Sequence, residues 1–194
     1  MARPRKATDD EVLAAVHGLM NRLGPLEWTL ADVAREVGVT PSALVQRFGS
    51  KRDLQVALMD RWAESAPSLF ATLRAQSVTP LATLYAYAGC VAQLGASSVG
   101  LAHHLAYLQI DLSDADMHAR LRKQSRETRD SIRTLLDEAF AAEELSGAAD
   151  TAELARAVEV TLTGSLLVWG IHQEGTSAQA VEHDLDVLLR AYRS

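Results

Sequence analysis

The stretch TLADVAREVGVTPSALVQRF, residues 29–48, decides how the fold is read. It places two short helical patterns around one glycine, with a proline where the second helix starts. Thr29 suits the cap of a helix whose apolar face is Leu30, Val33, Ala34 and Val37, and Gly38 ends it. Thr40 suits the cap of the next helix. Pro41 takes its first position, where proline's fixed φ fits a helix and its missing N–H costs nothing.

A helix-turn-helix that reads DNA needs these parts: two short helices, a tight turn, and a second helix whose first turns enter the major groove. Leu30, Ala34, Val37, Leu44 and Phe48 supply the positions that lock both helices onto the helix before them. Ser42, Ala43, Gln46 and Arg47 are left on the outer face. Arginine can read guanine and glutamine adenine through paired hydrogen bonds, and a small Ser or Ala permits close approach to base edges. Thr29, Thr40 and Lys51 stand at helix starts, where hydroxyls, free N–H groups and a cation suit phosphates. On spacing alone an ordinary helical hairpin fits the same pattern. Arg3, Arg5 and Lys6 add a basic extension of a kind that can lie in a minor groove, and a short basic tail fits a disordered segment equally well.

The rest of the 194 residues reads as helix after helix, with no alternating strand pattern. Thr8 and Glu11 form a capping box for a first helix with Val12, Val16, Leu19 and Leu23 at helical spacing, stopped by Gly24-Pro25. Ser50 caps a long fourth helix running through Leu54, Leu58 and Trp62 towards Phe70. Further helices are expected at about 80–95, 98–111, 114–142, 151–172 and 177–192. The first of these is apolar on two faces and therefore buried. The expected fold is all-α, about nine helices: a three-helix DNA-binding domain over 1–52, and a helical effector-binding and dimerisation domain over 53–194. The boundary falls at the long fourth helix.

Composition agrees. Hydrophobic residues make up 48% and aromatic residues 5% of the chain, and Ala and Leu outnumber Val and Ile. The net charge of −6 argues against a polycation that coats nucleic acid. Charge is uneven, however: up to Trp62 nine basic residues face eight acidic ones, and the remainder carries ten against seventeen. The start lacks the apolar stretch of a secretory signal, and the most apolar run, 157–171, is broken by Glu159 and shorter than a membrane span. These features point to a cytoplasmic protein with no membrane partner. Cys90, the single cysteine, excludes an internal disulfide and reads as a small core residue.

TLADVAREVGVTPSALVQRFGSKRDL, residues 29–54, resembles the signature of tetracycline-repressor (TetR) family transcriptional regulators: a Thr, a "VA" helix, "GVT", a short helix ending in Phe, then "SK" and a Leu. The resemblance is close over residues 8–62 and architectural beyond them. It implies a ligand-responsive regulator, most often a repressor, that binds palindromic double-stranded operator DNA as a homodimer through its last two long helices. Where the family commonly has Tyr and then His before the Phe, this chain has Val45 and Arg47, so the tyrosine's phosphate contact is absent. Arg47 is left to serve a phosphate or a base.

Effector candidates are polar or aromatic groups on otherwise apolar faces: Tyr85, His103, Tyr107, Gln124, Thr128 and Trp169. His103 and Tyr107 lie four apart and converge, and Gln124 and Thr128 interrupt the stripe of Met117, Leu121, Ile132 and Leu135. Together they suit a mainly apolar small molecule with a few hydrogen-bonding groups. On the helix at 151–172, Ala155, Val158, Leu162, Ser165, Leu166 and Trp169 share one face. Leu154, Leu167, Val168 and Ile171 lie elsewhere and can serve a partner; Gly164 and Gly170 permit close helix approach, within the subunit or across it. Two enzyme-like groupings are weaker. His103, His104, Asp111, Asp114, Asp116 and His118 gather potential metal ligands, but Asp114 and Asp116 equally fit a helix N-terminus. His183 beside Glu182 lacks the Glu-x-x-His spacing of di-iron bundles. No catalytic residue, metal or cofactor is expected. The competing class is a helical small-molecule-binding protein or ferritin-like enzyme with an incidental N-terminal hairpin.

Overall fold

The computed structural model describes residues 7–193; Arg3, Arg5 and Lys6 lie outside them. The described residues form nine α-helices and a closing 3-10 turn, without strands. In order the helices are α1 (Asp9–Glu27), α2 (Leu30–Val37), α3 (Pro41–Phe48), α4 (Lys51–Gln76), α5 (Pro80–Gln93), α6 (Ser98–Ser113), α7 (Ala115–Ala141), α8 (Thr151–His172) and α9 (Ser177–Leu189), followed by the turn Arg190–Tyr192.

The helix starts are written in the sequence. Thr8 accepts from Glu11 N–H while the Glu11 carboxylate accepts from Thr8 N–H, closing the expected capping box. Thr29 with Asp32 and Ser50 with Asp53 repeat the device at α2 and α4. Their hydroxyl and backbone N–H bonds hold the Asp32 and Asp53 carboxyls below the usual range. α1 breaks at Gly24, whose φ of 77° and ψ of 179° leave the helical region before Pro25. A Cβ there would also meet the His103 ring at 2.9 Å, so the kink needs glycine twice over.

The chain divides into two compact units. The first gathers the described residues up to Ala63 with Ala102–Leu121; the second is Glu64–Leu101 with the described residues from Arg122 onward. The division falls inside α4, α6 and α7. In the first unit Val12, Val16, Leu19, Trp28, Val33, Leu44 and Leu54 form the buried core, with Leu30, Val37 and Phe48 packed against it. The second unit's core is larger and almost wholly aliphatic, built on Leu84, Ala88, Ile132, Leu136, Val158, Leu162, Val181 and Leu185.

Three expectations change. Cys90 is exposed, because the buried face of α5 runs through Leu84, Ala88 and Ala92 and residue 90 points away from it. Leu154 is core rather than free surface. Gly170 serves packing within the subunit, since a Cβ there would meet Leu101 at 2.4 Å. Helix α8 is long and apolar enough to cross a membrane by length and composition, with a third of its most apolar window buried in the protein. Its apolar residues divide into two stripes. Val158, Leu162, Ser165 and Leu166 enter the core, whereas Val160, Leu167, Val168 and Ile171 are exposed.

Candidate nucleic-acid interface

Helices α2 and α3 meet through a turn set by Gly38, which adopts the left-handed conformation (φ 71°, ψ 32°) and returns its N–H to Ala34 O. Val39 N–H also bonds to Ala34 O, so two donors close the end of α2. Thr40 then caps α3 by accepting from Ala43 N–H, with Pro41 at the first helical position. Leu44 is the one residue of α3 that is fully buried. The rest of this eight-residue helix is a rim, and Ser42, Ala43, Gln46 and Arg47 are all exposed. Thr29 and Thr40 hydroxyls are engaged as caps, Thr40 also with Ser42 at 3.1 Å.

The two expected cations have intramolecular partners. Arg47 donates to Ala7 O at 2.6 Å and pairs with the exposed Asp9 carboxylate, its guanidinium lying 5.2 Å from the Phe48 ring. Lys51 is turned inward onto backbone carbonyls. The other described arginines of this unit are likewise paired: Arg22 with Glu36, Arg35 with Asp32, Arg52 with Asp114 and Asp116, Arg61 with Asp10, and Arg120 with Asp60. Pairs between exposed groups contribute about 0–1 kcal/mol each, so they exchange readily for phosphate.

One polar network was not anticipated. Trp28, fully buried, donates its indole N–H to Tyr107 Oη at 2.7 Å, and Tyr107 donates to Gly24 O at 3.2 Å. Burial pushes the Tyr107 hydroxyl pKa up. His103 donates from Nδ1 to Asn21 O at 2.9 Å. His103 and Tyr107, expected at an effector, thus pack with the helix-turn-helix unit and bind its backbone. Sequence offered a hint in Trp28, an aromatic directly before the Thr29 cap. Asp114 caps α7 by accepting from Asp116 and Met117 N–H and holds Arg52 in a fork at 2.7–3.0 Å, which keeps its carboxyl pKa low. It fills the helix-terminus role. Among the described residues no group of three or more His, Cys, Asp or Glu could hold a metal ion.

The other four effector candidates belong to the second unit. Tyr85 donates to Asp186 and accepts from Arg193. Trp169 donates to Gly175 O at 3.2 Å. Thr128 bonds the Tyr87 hydroxyl, whose pKa burial pushes up to about 12, and Gln124 is half-buried one turn away on α7. Beside them Ser125 and Arg129 both donate to Glu159, at 2.6 Å and 2.6–2.8 Å. Glu159 was legible as the lone carboxylate in the most apolar run; Ser125 and Arg129 carried no such signal. A cleft of about 710 Å³ in the first unit, lined by Ala7, Glu11, Ala14, Ala15, Glu36, Val37 and Gly38, includes none of the six candidates.

The arrangement is a helix-turn-helix, and comparison with known proteins shows what it is similar to. Residues 12–58 match the model of bacterial regulatory proteins of the tetR family. A TetR transcription regulator from Haloarcula marismortui superposes with a TM-score of 0.75 at 15% identity, covering 96% of this chain and 98% of that one. A TetR-family regulator from Agrobacterium tumefaciens gives 0.72 at 21% identity, over 96% and 97%. SmeT, the repressor of the Stenotrophomonas maltophilia multidrug efflux pump SmeDEF, gives 0.67 at 20%, over 99% and 93%. No curated protein matches the sequence. Residues 12–58 thus carry the match to the tetR-family model, and the whole chain has the fold seen in solved TetR-family regulators.

Proposed function

We propose that the chain is a ligand-responsive transcriptional repressor that binds palindromic operator DNA as a homodimer. The observation that carries this reading is α3 itself: a capped eight-residue helix that buries only Leu44 and turns Ser42, Ala43, Gln46 and Arg47 outward. Gln46 and Arg47 carry base or phosphate contacts, Ser42 and Ala43 allow close approach, and Thr29 and Thr40 approach phosphates at their helix starts. DNA binding moves Arg47 from Asp9 to the nucleic acid. Two-fold pairing through the exposed stripe of α8 and its neighbour α9 would set two reading helices about one DNA turn, or 34 Å, apart.

The effector in this reading is mainly apolar, with a few hydrogen-bonding groups, and lies among the helices of the second unit near Tyr87, Gln124 and Thr128. Its binding lowers operator affinity by changing the spacing of the paired reading helices. The domain division at 1–52 and 53–194 is part of the proposal. Selection of bound fragments from genomic DNA tests it: recovery of one inverted repeat, lost on combined Gln46→Ala and Arg47→Ala, is the expected result. Unselective recovery would defeat it, and sedimentation of the protein with the recovered duplex reports the two-to-one stoichiometry.

A further inference from the structure

The Lys51 ammonium has three N–H groups, and three carbonyls converge on it: Trp28 O at 2.6 Å, Pro25 O at 3.0 Å and Leu26 O at 3.4 Å. It also lies 4.4 Å from the centre of the buried Trp28 ring. These carbonyls belong to the segment after the Gly24 kink, where α1 ends and its last C=O groups lack helical partners. The third carbonyl, Trp28 O, immediately precedes the Thr29 cap of α2.

We infer that Lys51 is an internal tie joining the start of α4 to the end of α1 and the entry of α2, and that it makes no phosphate contact. It is a positioning residue for the reading helix, an inference that rests on the DNA-binding reading above. Drawing its ammonium to a phosphate would give up the part-buried Trp28 and Pro25 carbonyls and uncover an aromatic face in return for one contact. Arg47, by contrast, gives up one exposed carboxylate and one carbonyl. The TetR-like "SK" motif therefore acts here through Ser50 as a cap and Lys51 as a tie.

Two variants and one measurement on the unaltered protein test this. Lys51→Met is expected to lower Tm by about 4 °C or more and to weaken binding of a duplex recovered by the selection by about 10-fold. The slope of log affinity against log salt should not change, because no phosphate contact is lost. Lys51→Arg keeps the charge, but its planar fork cannot aim three N–H groups at converging carbonyls, so the same losses are expected. In unaltered protein the Lys51 ammonium should give a slowly exchanging NMR signal that does not shift when the duplex is added. The tie is overturned by a Lys51→Met protein with unchanged Tm and a slope smaller by about 0.9. Full duplex affinity and unchanged Tm in Lys51→Arg, or an ammonium signal that shifts with DNA, would equally overturn it. Failure of the unaltered protein to bind any selected duplex would defeat the DNA-binding reading alone; Tm of the two variants still decides the tie.

Discussion

The two units are held together differently. The first fastens nearly every junction with a directed polar contact: three capping boxes of Thr or Ser with an acid, the Trp28–Tyr107–Gly24 relay, Lys51 on three carbonyls and Arg52 forked on Asp114. The second also has caps and polar contacts, among them the Thr176–Gln179 box and Ser125 and Arg129 on Glu159, but its core is filled by aliphatic side chains and it leaves a buried Ser165 hydroxyl with no hydrogen-bond partner. Short helices explain the contrast. An eight-residue helix buries too little to fix its own angle, so the orientation of α2 and α3 comes from caps and ties; the second unit's helices, from 13 residues in α9 to 22 in α8, gain more from packing.

Core truncations should hurt both units most and set the scale. Trp28→Ala removes the largest buried side chain of the first unit and is expected to cost about 3–5 kcal/mol; Leu185→Ala in the second should cost about 2–5 kcal/mol. Urea unfolding checks both. A Leu185→Ala cost below about 1 kcal/mol would show that aliphatic filling does not hold the second unit.

Deleting single hydroxyls separates the units more sharply. Tyr107→Phe keeps the ring but leaves the buried Trp28 N–H without an acceptor, at an expected cost of about 1–3 kcal/mol. Ser177→Ala in the second unit removes a bond to Ala92 O, which retains Gly95 N–H, and should cost less than about 1 kcal/mol. Ser165→Ala removes a hydroxyl that bonds nothing and should be neutral or slightly stabilising, by up to about 0.5 kcal/mol. Equal losses for Tyr107→Phe and Ser165→Ala would erase the contrast.

The same difference governs what sequence disclosed. Caps and turns are local chemistry, so Thr8, Thr29, Thr40, Ser50, Gly38 and the Gly24-Pro25 stop could be read directly, and with them nearly all helix positions. Contacts between residues far apart in the chain could not. The 79-residue separation of Trp28 from Tyr107 gave no periodic trace, so Tyr107 looked like a pocket residue. For Lys51 the local pattern, a cation at a helix start, suggests a phosphate ligand, and the three carbonyls that hold it, 23 to 26 residues upstream, leave no mark on that pattern. Cys90 fell on the wrong side of α5 because that helix is apolar on more than one face, which blurs its phase.

Asp111 offers a test of how fully the first unit satisfies its charges. Burial, with the nearby Asp114 charge, raises its carboxyl pKa to about 6, against an ordinary value near 3.8. Below about pH 4 the carboxyl is protonated folded or unfolded and contributes nothing. Between about 4 and 6 the folded state keeps a proton that the unfolded chain has released, so stability falls as pH rises, and above 6 the penalty is complete. Asp111→Asn should therefore stabilise the protein at pH 7.5 by about 1 kcal/mol, discounted from the roughly 3 kcal/mol that a shift of about two pKa units would give in full, because the group is partly solvated. The gain should disappear at pH 4. If it persists there undiminished, the substitution acts through packing or helix propensity, and Asp111 is not the exception to the first unit's well-partnered charges that its burial makes it.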